Sequence, residues 1–269
     1  MYRYNIAEKF VSINGEGRKA GQPAVFIRFK GCNLNCSYCD TLWANSDNCP
    51  AEMMTANDIL VYIQKTGISN VTLTGGEPLI QTGIYELIDL LCQNGLDVEI
   101  ETNGSKDISP FRQMKIMPSF TLDYKLPSSG MERFMEMKNY DFLTKNDTIK
   151  FVCGSNEDLQ KALEIIEKKH LTKKCAVYLS PVFGKIEPRE IVDFMLENKM
   201  NGINLDINIL RQNIAFIREE ITRITTIKEQ LETNPGARSD DSTQILKTYG
   251  EILSNLRFLL RHEYDAELI

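Results

Sequence analysis

Three thiols, Cys32, Cys36 and Cys39, fall within eight residues of the run Gly31-Cys32-Asn33-Leu34-Asn35-Cys36-Ser37-Tyr38-Cys39-Asp40-Thr41. A structural zinc site normally closes its shell with four Cys or His ligands. Three thiolates on a cubic iron-sulfur cluster instead leave one iron open to a ligand that is not protein. An open iron is a place for chemistry. Cys49, ten residues beyond Cys39, could complete a zinc shell, so the cluster by itself leaves both readings standing.

The elements that must position these thiols follow from periodicity. Strands are predicted at Lys9–Ile13, Pro23–Lys30, Asn70–Thr74, Asp97–Thr102, Thr121–Lys125, Thr148–Val152, Ala176–Ser180 and Gly202–Asn208. Helices are predicted to open at Thr55, which with Asp58 makes an N-cap signature, and to cover Leu79–Gln93, Met131–Phe142, Asn156–Lys169 and Pro188–Lys199. Repeated β-then-α units with β-branched strands imply a parallel α/β sheet, and around six of them imply a partial (β/α)6-type barrel. The cysteine loop, Thr74-Gly75-Gly76-Glu77-Pro78, Glu101-Thr102-Asn103-Gly104, Asp123-Tyr124-Lys125 and Ser180-Pro181-Val182-Phe183 all follow predicted strands. In parallel α/β architectures that carboxyl edge binds ligands. Five such segments at one edge favour a reactive centre over a structural zinc.

The turn Asn14-Gly15-Glu16-Gly17-Arg18-Lys19-Ala20-Gly21 satisfies G-x-G-x-x-A, with Asp40 at a suitable distance for a ribose-binding acid. A dinucleotide fingerprint needs a helix to open at the glycines, and here Pro23 and an apolar run follow instead. The glycines are read as allowing close approach of the backbone to a ligand.

The 269 residues carry 31 basic and 37 acidic side chains, a net charge of −6 with no run of one sign, which argues against nucleic acid as a partner. All seven cysteines lie before residue 176, and their odd number suits a reducing cytoplasm better than a disulfide framework. No apolar run reaches the ~20 residues of a membrane span. Beyond residue 208 the pattern changes: Leu210, Ile214, Ile217, Ile221, Ile224 and Leu231, then Ile245, Tyr249, Ile252, Leu256 and Leu259, recur at heptad spacing on either side of Asn234-Pro235-Gly236. The expected organisation is a barrel domain over 1–208 and a C-terminal helical hairpin over 209–269, packed on itself, on the barrel or on a second subunit as a homodimer.

Residues 9 to about 205 resemble the 7-carboxy-7-deazaguanine synthases, radical S-adenosylmethionine enzymes of queuosine and deazapurine biosynthesis. The matching words are Ser12-Ile13-Asn14-Gly15-Glu16-Gly17, Phe26-Ile27-Arg28-Phe29-Lys30-Gly31-Cys32-Asn33-Leu34, Cys39-Asp40-Thr41, Thr74-Gly75-Gly76-Glu77-Pro78-Leu79, Glu101-Thr102-Asn103-Gly104 and Lys125-Leu126-Pro127-Ser128-Ser129-Gly130-Met131. The C-x3-C-x2-C spacing and Gly-Gly-Glu-Pro are shared among radical enzymes, whereas Asn-Gly-Glu-Gly, Cys-Asp-Thr and Lys-Leu-Pro-Ser-Ser-Gly are more specific.

The resemblance implies a 4Fe-4S cluster on Cys32, Cys36 and Cys39, with Mg²⁺ at Thr41. It implies S-adenosylmethionine held around Tyr38, Cys39, Asp40, Gly75, Gly76, Glu77, Asp123, Tyr124, Lys125, Ser180, Pro181 and Val182. It also implies a pterin-like substrate at Ile13, Asn14, Gly15, Glu16, Arg28 and Thr74, with Arg28 on its carboxylate and Asn14 standing where relatives often carry Gln. The implied reaction takes a hydrogen from carbon 6 of 6-carboxy-5,6,7,8-tetrahydropterin, contracts the ring and releases ammonia, with reduced flavodoxin or a similar protein as electron donor. One departure is expected to matter: the basic, histidine-containing segment that closes the pocket in relatives is not recognisable beyond Asn204. His170 reads as a solvent-exposed helix end and His262 as part of the hairpin. Two alternatives remain: a radical enzyme with another substrate, and a non-catalytic, metal-stabilised interaction protein.

Overall fold

The computed structural model describes residues 2–206 together with 222, 225 and 226. The chain divides into two compact units, Met1–Asp206 and Ile207–Ile269. Apart from residues 222, 225 and 226, the expected hairpin, including His262, lies outside the described residues.

The first unit is built on strands β1 (Arg3–Ile13), β2 (Pro23–Phe29), β3 (Glu52–Thr55), β4 (Asn70–Gly75), β5 (Asp97–Thr102), β6 (Ser119–Tyr124), β7 (Thr148–Cys153), β8 (Ala176–Pro181) and β9 (Ile203–Leu205). They form one open sheet in the order β3-β1-β2-β4-β5-β6-β7-β8-β9. Every pairing from β2 to β9 is parallel, and β1 runs antiparallel to both β2 and β3. The architecture is thus an open α/β barrel carrying an antiparallel edge. The antiparallel pairing and β3 itself depart from a purely parallel reading. The short turn over Gly17–Lys19 permits a hairpin where a crossover helix would have forced a parallel neighbour.

Side-chain parity gives the sheet two unlike faces. Ile27, Phe29, Leu73, Ile100, Leu122, Phe151 and Leu179 belong to the buried core. They share it with Ile59 and Ile63 of α2 (Ala56–Thr66), which follows the short α1 (Leu42–Asn45). Leu87 and Leu91 of α3 (Ile84–Gln93), Ile165 of α4 (Asn156–Lys169), Leu171 of α5 (Leu171–Lys174) and Ile191 of α6 (Pro188–Glu197) complete it. The other face is polar: Arg28, Thr72, Thr74, Glu99, Glu101, Thr121, Asp123, Lys150 and Ser180 alternate with the core residues along successive strands. A register shift between Ile6 and Glu8 lets Ile6 sit beside Phe29 on the core face while Glu8 sits beside Arg28 on the polar one. A polar lumen backed by an apolar layer is a binding site ready-made on the inside of the sheet.

Local signals explain where the helices stop and start. Thr55 and Asp58 form the reciprocal capping box of α2, and Gly67 ends it at φ 71°. Ser155 accepts from Asp158 N to open α4, and His170 closes it in a left-handed conformation at φ 52°. His170 is therefore a helix terminus, with no part in the sheet's polar face.

Two predicted helices differ from the structure. The one expected over Leu79–Gln93 begins only at Ile84, because Glu77 caps a separate 3-10 turn at Pro78–Ile80 and Gly83 takes φ 79° with the Tyr2 ring packed where a Cβ would stand. The one expected over Met131–Phe142 is two 3-10 turns, Glu132–Phe134 and Met137–Asp141. There the buried Asn139 side chain donates to the carbonyls of Gly104 and Lys106 and accepts from Ile108 N, so tertiary hydrogen bonds outweigh helix propensity. The last strand is also shorter than expected, ending at Leu205.

Candidate active site

The cysteine loop leaves β2 at the carboxyl edge and is pinned on three sides. Gly31 N donates to Ala44 O, and Glu77 N donates to Gly31 O at 2.9 Å. Ser37 Oγ donates to Ser128 O at 2.7 Å and Ser37 N to Ser129 O, tying the loop to the segment after β6. Asn103 Nδ2, beyond β5, donates to Asn33 Oδ1 at 3.1 Å and lies 3.5 Å from Cys32 Sγ. Gly76 is obligatory here, since a Cβ would strike the Gly31 carbonyl.

The three thiols are free and partly to fully buried. Burial pushes the Cys32 and Cys36 thiols up; Cys32 also feels Cys39, and Cys36 feels both Cys32 and Cys39. Lys125 opposes the rise at Cys36, so this pocket has a cation facing the thiolates that a bound iron centre would require. Among the described residues no three His, Cys, Asp or Glu side chains gather as the ligands of one ion do. Each thiolate of a cubane binds its own iron, so the three thiols need not converge on one point. The Cys49 thiol donates to the carbonyl of Pro50 at 3.3 Å, away from the trio. Thr41 Oγ1 lies 3.7 Å from Cys39 Sγ and makes no helix cap, which leaves the hydroxyl available for a hard cation.

Glu77, expected among the cofactor contacts, is fully buried and acts as a strut. Its carboxylate accepts from Leu79 N at 2.9 Å, Thr102 Oγ1 at 2.8 Å and Asn103 N at 2.7 Å. Burial raises its pKa against the pull of these donors. Through Asn103 it supports the loop that holds Cys32.

Along the same edge, Lys125 Nζ bonds Asp123 Oδ2 at 2.6 Å and lies 5.9 Å from the centre of the Tyr38 ring. Burial opposes the Lys125 charge, yet Asp123 and Cys36 outweigh it and raise its pKa. Asp123 Oδ1 is buried with no hydrogen-bond partner among the described residues. An orphaned acceptor on the polar face fits a ligand hydroxyl or amine. Tyr124, expected beside it, points the other way: its ring packs in the core against Tyr140 and Phe151, which leaves only its backbone to the site. Ser180 Oγ donates to Asp206 Oδ2 at 2.9 Å, Val182 N donates to Cys153 O, and Pro181 lies in β8 beside Cys153. Asp40 is exposed at the loop's end.

The expected substrate positions are split. Gly15 has nothing within 4 Å of where a Cβ would stand, and Ile13 is exposed. Arg28 and Thr74 sit side by side on the polar face, Arg28 pairing with Glu8 at 3.0 Å. Asn14 turns inward: its amide donates to Thr72 Oγ1 at 3.2 Å and Glu99 Oε2 at 3.0 Å, and its oxygen accepts from Glu16 N at 3.3 Å. Its side chain therefore shapes the loop rather than reaching a ligand. Glu16 bonds Lys150 at 2.6 Å.

Lys150 and Glu99 were not singled out in the sequence, and Glu101 and Asn103 stood there only within the segment Glu101-Thr102-Asn103-Gly104, with no role assigned; the period-2 alternation of β5 and β7 could have put Lys150, Glu99 and Glu101 on one face. Burial opposes the charge of Lys150, but Glu16, then Asp123 and Glu101, hold its pKa well above the ordinary range. Burial and then Glu16 push Glu101 up to about 7, against Thr74 and Lys150, which draw it down. Glu99 is raised by burial, opposed by hydrogen bonds from Thr121 and Asn14.

The sequence model of the Radical SAM superfamily matches residues 26–142. A 7-carboxy-7-deazaguanine synthase of Clostridium acetobutylicum is 58% identical over 207 residues, covering 77% of this chain and 94% of that relative. One from Methanospirillum hungatei is 37% identical over 201 residues, covering 72% and 79%. The crystal structure of QueE from Escherichia coli superposes with a TM-score of 0.59 at 24% identity, over 76% of this chain and 92% of that one, a likeness of fold.

Proposed function

The chain belongs to the 7-carboxy-7-deazaguanine synthases, a family of radical S-adenosylmethionine enzymes, and from that premise we propose that it converts 6-carboxy-5,6,7,8-tetrahydropterin to 7-carboxy-7-deazaguanine with loss of ammonia. It is a lyase whose cofactors are a 4Fe-4S cluster, S-adenosylmethionine and Mg²⁺. The observation that carries the proposal is the convergence, at one sheet edge, of three mutually facing thiols, a glycine cradle, an orphaned carboxylate oxygen and a polar lumen.

When bound, the cluster and S-adenosylmethionine supply an electron and the 5′-deoxyadenosyl radical that it releases. The chain's residues do the rest. Cys32, Cys36 and Cys39 would hold the cluster, and the Lys125 ammonium would balance the charge of its thiolates. Gly75 and Gly76 bare their backbone, and Asp123 Oδ1 offers an acceptor to the cofactor's polar groups. Thr41 would offer its hydroxyl to the magnesium, a hard cation that takes oxygen ligands. Arg28 exchanges Glu8 for the substrate carboxylate, a planar guanidinium matching it in two places. Gly15, Glu16 and Thr74 line the pterin. Under this reading the enzyme works in the cytoplasm, takes its electron from reduced flavodoxin or a similar protein, and has a small-molecule substrate.

The test is anaerobic reconstitution of the full chain with iron and sulfide, followed by S-adenosylmethionine, Mg²⁺, dithionite and the carboxytetrahydropterin. Mass spectrometry should find the deazapurine and ammonia. Steady 5′-deoxyadenosine formation with the pterin untouched would assign the enzyme another substrate.

A further inference from the structure

Five carboxylates face the lumen or its rim, and four are committed, Glu8 among them through Arg28. Glu99 accepts from Thr121 Oγ1 at 2.6 Å and from Asn14 Nδ2, Asp123 holds Lys125, and Glu16 holds Lys150. Glu101 is the exception. It stands at the carboxyl end of β5 on the polar face, beside Thr121 in register, with the Thr74 hydroxyl as its side-chain hydrogen-bond donor. Glu16 and Lys150 lie close enough to act on it. Thr74 and Glu16 are two of the positions assigned above to the pterin, so Glu101, which no cation among the described residues holds as an ion pair, adjoins the substrate position.

We propose that Glu101 is a catalytic residue, the carboxylate that takes a proton from the former carbon 7 of the ring-contracted intermediate and hands it to the departing amine. This rests on the substrate reading given above. The overall reaction is redox-neutral and removes one ammonia, while the two hydrogens on carbon 7 become one. In the elimination the C–H electron pair becomes the ring double bond, and the C–N pair leaves with nitrogen. The proton that Glu101 carries ends on that nitrogen, so the carboxylate is regenerated and nothing external is consumed.

The surroundings suit the task. The charged groups acting on Glu101 are Glu16 from the β1–β2 turn, Lys150 from β7 and Glu99 on its own strand; the Asp123–Lys125 pair and the Arg28–Glu8 pair lie on the same polar face, each joined internally. Lys150 stays charged and cannot accept a proton. A carboxyl held near neutrality by burial and by Glu16 both accepts and donates at working pH.

The test uses the reconstituted full chain, substrate deuterated at carbon 6, and the isosteric variant Glu101→Gln. Deazapurine formation should fall by about 10²-fold or more. Deuterium transfer into 5′-deoxyadenosine and the affinity for S-adenosylmethionine should stay within about threefold, because radical formation precedes the elimination. Glu101→Asp, which keeps the acid, should recover at least about tenfold of the loss. Wild-type deazapurine output from Glu101→Gln, a loss of deuterium transfer in parallel with product, or an Asp variant no better than Gln would each overturn the assignment. No deuterium transfer in the unaltered enzyme would bring down the substrate reading itself, and this inference with it.

Discussion

Lys150 Nζ and Glu16 Oε2 meet at 2.6 Å although 134 residues separate them, tying the β1–β2 turn to β7 across the open side of the barrel. The pair stretches over the lumen from its antiparallel rim to its parallel wall. It holds one side of the proposed pterin site in place, and it sets the charge around Glu101.

Removing the cation should loosen that rim. Lys150→Met leaves the Glu16 carboxylate without its partner, so the substrate KM should rise by about tenfold while S-adenosylmethionine affinity stays unchanged. Urea unfolding should show a loss of roughly 1–3 kcal/mol. A variant with wild-type KM would mean that Glu16 needs no clamp.

The Glu77 strut predicts a coupled failure. Glu77→Ala orphans the donors of Leu79, Thr102 and Asn103 inside the fold, which should cost about 3 kcal/mol or more. Because Asn103 supports Cys32, iron content after reconstitution should fall as well. Glu77→Gln keeps most of the acceptors and should retain more iron. Equal iron loading in both variants and the wild type would refute the link.

Two cysteine variants separate a cubane from a zinc site. Cys36→Ala should abolish the visible iron-sulfur absorption and activity, whereas Cys49→Ala should retain about four irons per chain, the cubane stoichiometry. Loss of the metal in Cys49→Ala would restore the four-ligand alternative. Chelation of the cluster from the wild type should end turnover.

Asn14 sits in a slot with no room to spare. It is 2% exposed, and a Cβ at neighbouring Gly17 would collide with Glu99. Asn14→Gln, although it restores the residue common in relatives, should destabilise the fold by roughly 1–3 kcal/mol through overpacking. Asn14→Ala should raise the substrate KM by releasing Glu16 N. A thermal scan and a KM measurement on each variant decide the matter.

Glu101 also predicts a pH dependence of stability. Its folded pKa, about 7, lies above the ordinary 4.5. Its contribution is therefore fully present below about 4.5 and is lost as pH rises through about 7. Urea midpoints for the wild type minus those for Glu101→Gln should decline across that window. A flat difference would show that burial does not perturb this carboxyl.

Much of the fold could be read ahead of the structure, because it rests on local chemistry. Strand Asp97–Thr102 and helix Asn156–Lys169 appear with the bounds that their alternation and capping residues imply. The carboxyl-edge segments fall together because parallel strands all end on one side. The Met131–Phe142 helix was misread because Asn139 bonds to a loop more than thirty residues away, a partner that no window of local sequence contains.

The sequence alone determined the trio of thiols, the glycine turn beside them and the succession along the chain of the parallel strands, since each depends on spacing within a few residues. Only the tertiary structure decided which side chains the site can use. It turned Asn14 inward, spent Glu77 on backbone donors, sent the Tyr124 ring into the core and left Glu101 open among charged neighbours. The physical reason is that a side chain's availability is set by its partners, and those arrive from distant strands through register and curvature, neither of which a linear pattern encodes.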